Sequence, residues 1–431
     1  MKQLNIGLIG FGTVGAGVVQ CLQDNADLIA SRAGFLPVIT RIADLDITTD
    51  RGVAVRPGVL TTQAQDILDD PDISIVIELV GGLTIARKFI LAALNAGKSV
   101  VTANKALLAH HGPELFEAAE RNGVSIWFEA SVGGGIPCIK ALREGLVANH
   151  ITEILGILNG TCNYILTRME REKANFADVL AAAQQAGYAE ANPSLDVDGF
   201  DTAHKCAILA SLAFGHWFSA DDVTTGGITA VTTQDIDTAA SLGYRIKLLA
   251  VIKEADGKVQ LAVQPALVPA DSLLGNVSDV FNAVWIKGDT VGNTMYYGRG
   301  AGRQATASAV VADIIDCGRN LLAGCPRRLL PYAAFDGYAT LMTPEEIVAR
   351  HYVRIQVLDQ PGTLSCVSGV FAKHGINIAA AQQKESGQPE VSMIILTHKA
   401  RQSAINAALA EIENLHECCG KPVLFRIEDV D

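Results

Sequence analysis

Residues 4–15 read LNIGLIGFGTVG, and the chain continues as AGVVQCL. A short apolar segment followed by Gly10, Gly12 and Gly15 predicts a buried strand, a tight turn and the start of a helix. In this pattern the first glycine permits the turn, the second lets the backbone approach a pyrophosphate, and the third allows close helix–strand packing. Unpaired N–H groups at the helix N-terminus would bind the anion. We therefore expect a dinucleotide-binding fold, with a glycine-rich turn that binds nothing as the alternative.

Strands and helices go on alternating to about residue 130, which predicts a parallel sheet. Apolar strands are expected at 38–46, 73–79, 99–102 and 124–128, with a helix at 84–95. Because ligands bind at the carboxyl ends of such strands, Lys105, in the segment Ala103-Asn104-Lys105, could contact a cofactor or a substrate carboxylate. A solvated lysine at the start of a helix is the alternative.

The second strand ends in aspartates, Asp44 and Asp46. Either carboxylate could accept hydrogen bonds from an adenosine ribose, and it would repel a 2′-phosphate. This mildly favours NAD over NADP. Simple loop aspartates would give the same sequence.

The bulk composition excludes several classes of protein. A chain of 431 residues has room for about two to four domains. The formal net charge of −12 argues against non-specific binding to nucleic acid or to an anionic membrane. Nine scattered cysteines indicate a reduced chain without a disulfide framework or a zinc site. No signal peptide or long apolar span is visible, so the cytoplasm is the default expectation.

The segment from Gly187 to Lys205 reads GYAEANPSLDVDGFDTAHK and concentrates carboxylates between two helical patterns. A reaction centre that holds the ammonium group of an amino acid would need such acids, whereas a solvated loop is the alternative. Asp201 is expected to be a helix N-cap. Because residues four apart share a helical face, Asp201 and Lys205 can point into the same space. A surface ion pair is the other interpretation, but the helix after Lys205 is largely apolar.

Two glycine clusters stand out. Glu129 precedes Val132-Gly133-Gly134-Gly135-Ile136, where the triple glycine could turn carbonyls toward an ion, and Glu129 could add a charged oxygen. A flexible turn would look the same. The second cluster, residues 298–302, precedes a helix at 305–322 that would return to cover the nucleotide sheet, with Gly302 near the cofactor. An ordinary tight entry into a helix is the alternative.

The remaining chain predicts a second and a third domain. Alternating residues near 259–268 and 283–286 predict antiparallel strands, and prolines, among them Pro331, mark a connector at 323–349. Strands are then expected at 352–359, 376–384, 391–398 and 423–428, with helices at 363–373 and 402–415. This order is βαββαβ, a ferredoxin-like module.

Together these motifs resemble the bacterial homoserine dehydrogenases with a C-terminal ACT domain. The resemblance covers essentially the whole chain, although Arg299 stands where the family pattern has a proline. It rests on GFGTVGAG, ELVGG at 78–82, VTANKALLA at 101–109, EASVGGGIP at 129–137, ILNGTCNYIL at 157–166, the acidic segment, GRGAG at 298–302 and the DQPG turn at 359–362.

The resemblance implies a reversible, NAD(P)H-dependent reduction of L-aspartate 4-semialdehyde to L-homoserine, in threonine, methionine and isoleucine biosynthesis. Lys205 would donate a proton to the aldehyde oxygen, and Lys105 lies in the motif of the cofactor and catalytic centre. Asp201, Asp196 and Glu190 would hold the substrate, with Glu190 also near the nicotinamide. The other residues that would contact the cofactor are Gly10, Phe11, Gly12, Thr13, Val14, Gly15, Asp44, Gly187 and Gly302. A monovalent cation, sodium or potassium, would be bound by Glu129 and the carbonyls of Val132, Gly134 and Ile136.

The expected architecture is α/β. It comprises a Rossmann-type dinucleotide-binding domain at 1–130, completed by about 303–322, and an α+β catalytic and dimerisation domain at 131–302. The connector at 323–349 leads to a ferredoxin-like ACT domain at 350–431. That domain would bind an amino-acid effector, with threonine implied, near Asp359 and Gly362, and the chain would form a homodimer or homotetramer. The alternative is a sensor that binds nicotinamide cofactor and amino acid without turnover.

Overall fold

The computed structural model describes residues 1–328, 340–383 and 387–430. Pro331 of the expected connector, Lys384 at the end of an expected strand, and Asp431 lie outside the described residues. The described residues fall into two compact units. One comprises the described part of Met1–Gly160, Asp201–Val223 and Val280–Tyr338, and the other that of Thr161–Phe200, Thr224–Asp279 and Ala339–Asp431.

The helices and strands are given in chain order. Up to residue 157 they are β1 (Gln3–Ile9), α1 (Thr13–Asp24), α2 (Ala26–Ala33), β2 (Leu36–Ala43), β3 (Leu60–Thr61), α3 (Gln65–Leu68), β4 (Ile73–Glu78), α4 (Thr84–Asn95), β5 (Ser99–Thr102), α5 (Lys105–Arg121), β6 (Ile126–Trp127), α6 (Cys138–Lys140) and β7 (Ile151–Ile157). They continue with α7 (Gly160–Glu172), α8 (Phe176–Gln185), α9 (Ser194–Val197), α10 (Phe200–Phe214), β8 (Thr224–Thr225), α11 (Thr233–Ser241), β9 (Tyr244–Ala255), β10 (Lys258–Pro269), β11 (Phe281–Gly288), β12 (Gly292–Arg299) and α12 (Arg303–Leu322). The last are β13 (Thr340–Leu341), β14 (Val348–Leu358), α13 (Thr363–Lys373), β15 (Ile378–Gln383), β16 (Glu390–Thr397), β17 (Ala400–Arg401), α14 (Gln402–Glu413) and β18 (Val423–Ile427).

The first unit is built on a parallel sheet with the strand order β3-β2-β1-β4-β5-β6. The order reverses between β1 and β4, which is the position where open α/β sheets bind their ligands. Helix α12 contributes Val310 and Ile314 to the same core as Ile6, Leu8 and Ile75 of the sheet. The first unit also contains the antiparallel strands β7, β11 and β12, with Ala283 opposite Ile157. This confirms the expected Rossmann-type sheet.

The second unit joins the C-terminal module to an antiparallel hairpin. Strands β9 and β10 pair along their whole length, from Lys258 opposite Ala255 to Pro269 opposite Tyr244. Strand β18 pairs with β10 on one side, at Ala266 opposite Arg426, and with β14 on the other. The module itself has the order β18-β14-β16-β15, so the expected βαββαβ fold is confirmed. Its sheet is continuous with the hairpin and is not a separate appendage.

One local expectation was wrong. Asp201 is not the N-cap of a helix, because α10 already begins at Phe200 and Asp201 lies inside its first turn. The carboxylate of Asp201 is engaged by side chains from other segments, as described below, and not by the backbone N–H groups that a cap would satisfy. Helix α10 is buried on all sides over residues 201–211, which is typical of a helix in the interior of a large protein. Among the described residues, none of the helices has the length and hydropathy that crossing a bilayer would require.

Candidate active site

The turn after β1 has the geometry of a dinucleotide loop. Gly10 has a φ of 101°, and a Cβ added there would lie 2.6 Å from the carbonyl carbon of Leu79, so only glycine lets these two loops approach. A Cβ at Gly15 would clash with the carbonyl oxygen of Gly10. By contrast, nothing lies within 4 Å of the Cβ position of Gly12, and no side chain caps the N-terminus of α1. The open space and the uncapped N–H groups fit a pyrophosphate.

Two alanine substitutions in this loop should behave differently. Gly12→Ala should fold normally, but its methyl group would occupy the pyrophosphate space, at a cost of about 1–3 kcal/mol, or at least about fivefold in the Kd of NADPH. Gly15→Ala should also lower the thermal unfolding midpoint, because the turn must shift to accommodate it. Fluorescence titration with NADPH and thermal unfolding would measure both effects. An unchanged Kd in Gly12→Ala would contradict this assignment of the loop.

Asp44 reaches this loop from the end of β2. Its Oδ2 atom accepts a hydrogen bond from the backbone N–H of Phe11 at 2.5 Å, and its Oδ1 atom accepts one from the N–H of Asp46 at 2.9 Å. Thr13 begins α1 and Val14 follows it. Gly302 is the N-cap residue of α12, which packs against α1 through Arg303 and Ala307 at Gly17. The structure thus places Asp44 on the glycine-rich loop and brings the start of α12 against α1.

A hydrogen-bond network links the loops that follow β4 and β5. The buried carboxylate of Glu78 accepts hydrogen bonds from the N–H groups of Val80 and Gly81 at 2.8 and 3.0 Å, and from the hydroxyl of Thr102 at 2.8 Å. Thr102 accepts from the N–H of Asn104, which caps α5 through a 3.1 Å bond from the N–H of Leu107. Lys105 is the first residue of that helix. The network therefore sets the position from which the side chain of Lys105 extends.

Lys205, Asp201 and Lys105 form one ionic cluster. The ammonium group of Lys205 lies 2.7 Å from Oδ2 of Asp201 and donates a second hydrogen bond, 2.6 Å long, to the carbonyl of Leu158. The ammonium group of Lys105 lies 3.1 Å from Oδ1 of the same aspartate, and Asn159 donates to Oδ2 at 2.9 Å. Lys205 is only 8% exposed. An ammonium group has three N–H donors, and the described residues occupy two of those of Lys205, so one donor is left for a substrate oxygen.

The charges of this cluster are set by opposing effects. Burial alone would raise the pKa of Asp201, but the ammonium groups of Lys205 and Lys105 hold that pKa well below its usual range. Asp201 is therefore ionised and shared between two cations, which leaves the cluster with a net positive charge. Such a cluster can stabilise negative charge that develops on a carbonyl oxygen.

His204 lies beside the cluster, with its ring 5.3 Å from that of His110. Burial, and then the neighbouring charges of His110, Lys105 and Lys205, lower the pKa of His204 to about 4. Its Nδ1 atom is buried and has no hydrogen-bond partner among the described residues. The imidazole is therefore neutral at physiological pH.

The pKa of His204 predicts a pH dependence of stability. Below its ordinary pKa of 6.5, the unfolded chain takes up a proton that the native imidazole does not accept until about pH 4. The free energy of unfolding should therefore fall as the pH falls from 6.5 to about 4. His204→Gln should show a shallower fall over this window, in urea unfolding at several pH values. Equal dependence of the free energy of unfolding on pH in the two proteins would contradict a neutral, buried His204. His351, whose pKa burial also lowers to about 4, is present in both proteins and contributes equally to both curves.

The two glycine clusters meet in the first unit. A Cβ at Gly134 would lie 2.5 Å from the carbonyl oxygen of Gly300, and the N–H of Gly135 donates to the carbonyl of Arg299 at 3.1 Å. Arg299 itself stacks over the ring of Phe281 at 5.6 Å. The close approach requires glycine at position 134, and Gly300 is required for a different reason, since a Cβ there would lie 2.0 Å from Nδ2 of Asn282. Arg299 is accommodated because its guanidinium group lies over an aromatic ring.

Glu129 is buried at this junction. Its carboxylate accepts hydrogen bonds from the N–H groups of Ile139 and Lys140 at 3.0 and 2.8 Å. Burial outweighs the effect of these bonds, which lower the pKa of Glu129, and raises that pKa to about 7. Of the carbonyls predicted to bind a cation, that of Ile136 accepts from the N–H of Cys138, and that of Val132 accepts from the thiol of Cys138. The described residues contain no group of three or more His, Cys, Asp or Glu side chains suited to a metal. A cation here would depend on backbone carbonyls.

The remaining predicted residues belong to the second unit. Glu190 is exposed, and its carbonyl accepts a 3.0 Å hydrogen bond from Gln184, while Gly187 has a φ of 75°. Asp196 lies in α9, where its carbonyl accepts from the thiol of Cys162. At the predicted effector turn, Asp359 accepts a 3.0 Å hydrogen bond from Gln383, and Gly362 begins α13 with a φ of 95°.

Several contributors were not foreseen. Glu78, Thr102, Asn159 and the carbonyl of Leu158 organise the lysine cluster, yet only their place in the quoted motifs pointed to them. His204 stands between Asp201 and Lys205 in the sequence and could have been examined as a neighbour of both. The roles of the other four residues could not be predicted from the sequence, because their partners lie far away along the chain.

Comparison with known proteins covers the same residues. The family model described as "Homoserine dehydrogenase" matches residues 137–315, that of the "Homoserine dehydrogenase, NAD binding domain" matches 10–129, and that of the ACT domain matches 351–417. The chain is 44% identical to the homoserine dehydrogenase of Pseudomonas aeruginosa over 437 residues, covering 100% of both chains. It is 38% identical to that of Bacillus subtilis, covering 99% of both.

Solved structures give the same result. The homoserine dehydrogenase of Thiobacillus denitrificans superposes with a TM-score of 0.94 at 44% identity, covering 100% of this chain and 99% of that one. A hyperthermophilic archaeal homoserine dehydrogenase in complex with NADPH has a TM-score of 0.62 at 26% identity, covering 73% of this chain and 98% of that one. The chain belongs to the homoserine dehydrogenase family, as an NAD(P)-dependent oxidoreductase with a C-terminal ACT domain.

Proposed function

We propose that this chain catalyses the reversible NAD(P)H-dependent reduction of L-aspartate 4-semialdehyde to L-homoserine, with Lys205 as the proton donor. The observation that carries the proposal is the buried ammonium group of Lys205, which uses two of its N–H groups on Leu158 and Asp201 and keeps one for a substrate oxygen. A protein that only bound the cofactor and an amino acid would not need a buried, oriented proton donor.

The bound nicotinamide would supply a hydride to the aldehyde carbon. As the carbonyl oxygen gains negative charge, Lys205 stabilises that charge and transfers a proton to it. Asp201 keeps Lys205 oriented, because its carboxylate lies 2.7 Å from the ammonium group in a site with little solvent. In the reverse direction the neutral amine would accept the proton of the alcohol.

The remaining charged groups would orient the substrate. Glu190, Asp196 and Asp201 would hold the α-ammonium group of the substrate, and Lys105 would offset its carboxylate. Lys105 suits this role because its side chain is 32% exposed, in contrast to 10% for Lys205, and so can meet an entering anion.

We also propose that a monovalent cation, sodium or potassium, binds to Glu129 and to the carbonyls of Val132, Gly134 and Ile136. A single carboxylate with neutral carbonyl oxygens is a hard donor set of low charge, which suits a singly charged cation. Rates measured in sodium, potassium and tetramethylammonium salts at equal ionic strength would test it. Equal rates would remove the cation from the proposal.

The C-terminal module would make the enzyme responsive to an amino acid, and threonine is the proposed effector as a product of the pathway. The proposed domains are a dinucleotide-binding domain at 1–130, completed by about 303–322, a catalytic and dimerisation domain at 131–302, a connector at 323–349 and an ACT domain at 350–431. The chain would form a homodimer or homotetramer. Deleting 350–431 is a poor test of regulation, since it would remove β18 from the edge of β10 and leave Asp235 without its partner Arg354. Point variants of the full chain are the better experiment.

The activity itself is tested by initial rates of NADH and NADPH consumption with L-aspartate 4-semialdehyde, with threonine titrated into each assay. We expect consumption with at least one cofactor. If both cofactors bind but neither is consumed over a range of pH and salt, the chain is a sensor of cofactor and amino acid.

A further inference from the structure

Two consecutive residues, Leu158 and Asn159, hold both members of the buried ion pair of Asp201 and Lys205. The carbonyl of Leu158 accepts the 2.6 Å hydrogen bond from the ammonium group of Lys205, and the side-chain amide of Asn159 donates the 2.9 Å hydrogen bond to Oδ2 of Asp201. Leu158 is 0% exposed and Asn159 is 5% exposed. The segment after β7 therefore fixes the ammonium group through its backbone and the carboxylate through a side chain.

The fold leaves this segment little freedom. On one side, β7 ends at Ile157, which lies opposite Ala283 of β11. On the other side, a Cβ atom at Gly160 would lie 2.8 Å from the carbonyl oxygen of Val280, so the close approach of these two backbones requires glycine. Asn159 thus extends from a rigid point between a paired strand and a close backbone contact, which suits a residue that positions another.

The carboxylate of Asp201 needs such a support, because it faces two cations at once. Its Oδ1 atom lies 3.1 Å from the ammonium group of Lys105, and its Oδ2 atom lies 2.7 Å from that of Lys205. The terminal torsion angle of an aspartate side chain is only broadly restricted by the side chain itself. The hydrogen bond from Asn159 to Oδ2 fixes the rotation in which each ammonium group meets one oxygen.

An amide suits position 159 because it donates a hydrogen bond without adding charge. The cluster of Asp201, Lys105 and Lys205 therefore keeps its net positive charge, which can stabilise a developing oxyanion. A third basic side chain would also donate, but it would repel the two lysines. A carboxylate at position 159 would repel Asp201 and cancel the net charge of the cluster.

We propose that Asn159 is a positioning residue for proton transfer, because its amide holds the carboxylate of Asp201 in the rotation that directs the ammonium group of Lys205 at the substrate oxygen. Asn159 acts through Asp201 and takes no part in the transfer of the proton itself. The inference rests on the proposed function, in which Lys205 is the proton donor, and it extends that function to a residue outside α10.

Two substitutions of similar size separate positioning from packing. Asn159→Leu removes the donor and keeps the approximate volume, whereas Asn159→Asp keeps the shape and replaces the donor by an acceptor. In the full-length chain, Asn159→Leu should lower kcat for aldehyde reduction by at least about tenfold, because a hydrogen bond to an ionised group is lost. The Kd of NADPH, measured by fluorescence titration, should stay within about twofold of wild type, since the nucleotide loop lies at β1 and α1.

The pH dependence of kcat in Asn159→Asp gives a readout that packing alone would not change. The charged groups of the cluster are Asp201 and Lys205 from α10 and Lys105 from α5, and the neighbouring His204 is neutral. Two carboxylates within hydrogen-bond distance share a proton as the pH falls, and the protonated one can then donate to the other, as the amide does in the wild type. The ratio of kcat in Asn159→Asp to kcat in Asn159→Leu should therefore rise at least about tenfold between about pH 9 and about pH 6.

Asn320 provides the matched control, because it is 6% exposed, lies near the end of α12 and accepts a 3.2 Å hydrogen bond from Arg328. Asn320→Asp should leave kcat and its pH dependence unchanged. A kcat of Asn159→Leu close to that of wild type, in an enzyme that Lys205→Ala inactivates, would overturn the positioning role and leave the proposed function standing. A ratio of the two kcat values that does not change with pH would overturn the positioning role as well, and so would an equal rise of kcat on acidification in Asn320→Asp.

Discussion

Replacement of Lys205 by alanine should lower kcat for aldehyde reduction by at least about 100-fold, because the reaction would lose its positioned proton donor. The Kd of NADPH should change little, since the nucleotide loop lies at β1 and α1 and makes no use of this ammonium group. Lys205→Met is the companion variant, because it keeps the apolar stem of the side chain within α10. Stopped-flow reduction of the semialdehyde and fluorescence titration with NADPH would measure the two quantities.

Lys98 offers a matched control in the same unit. Its ammonium group is also buried, at 4% exposure, and donates to the carbonyls of Asp70 and Ile73, at the end of β4 opposite to the active site. Lys98→Met should therefore lower the free energy of unfolding by about 1–3 kcal/mol and leave kcat of the folded enzyme unchanged. If Lys205→Ala kept kcat within a few-fold of wild type while Lys98→Met behaved as expected, Lys205 would not be the proton donor.

Asp201→Asn should lower kcat/KM by about 100- to 5,000-fold, since removing one member of a buried ion pair costs about 3–5 kcal/mol. The variant keeps the shape of the side chain but leaves the ammonium groups of Lys205 and Lys105 without the carboxylate that now lies 2.7 and 3.1 Å from them. Asp201→Glu keeps the charge and displaces it by one methylene group, so we expect it to retain more activity than the asparagine variant.

The control for Asp201 is an exposed pair. Arg87 and Glu114 form a two-point ion pair at 2.7 and 2.8 Å, with both side chains 42% exposed. Such pairs contribute about 0–1 kcal/mol, and Glu114→Gln should leave kcat/KM within about twofold. A kcat/KM of Asp201→Asn within about fivefold of wild type would contradict the assignment of Asp201 as the residue that orients both lysines. A kcat/KM of Asp201→Glu lower than that of Asp201→Asn would contradict it as well.

Most of the fold could be read from local patterns. The helices at Thr84–Asn95 and Thr363–Lys373 and the strand at Ser99–Thr102 have the predicted bounds, because each is defined by its own periodicity and by nearby breakers such as Gly97 and Gly362. Helix α11 was missed, since most of its residues, Thr233–Ser241, are polar and it buries only two apolar side chains, those of Ile236 and Ala239. It is held by its capping box and by the buried ion pair of Asp235 with Arg354.

The sequence by itself determined the nucleotide-binding start of the chain, the ferredoxin-like module and the pairing of Asp201 with Lys205, because all three follow from residues a few positions apart. Only the tertiary structure decided that Lys105 and Asn159 meet the same carboxylate, that the carbonyl of Leu158 accepts a hydrogen bond from Lys205, and that β18 pairs with β10. The physical reason is that these contacts join segments far apart along the chain, and their geometry depends on how the sheets and helices pack rather than on any local preference.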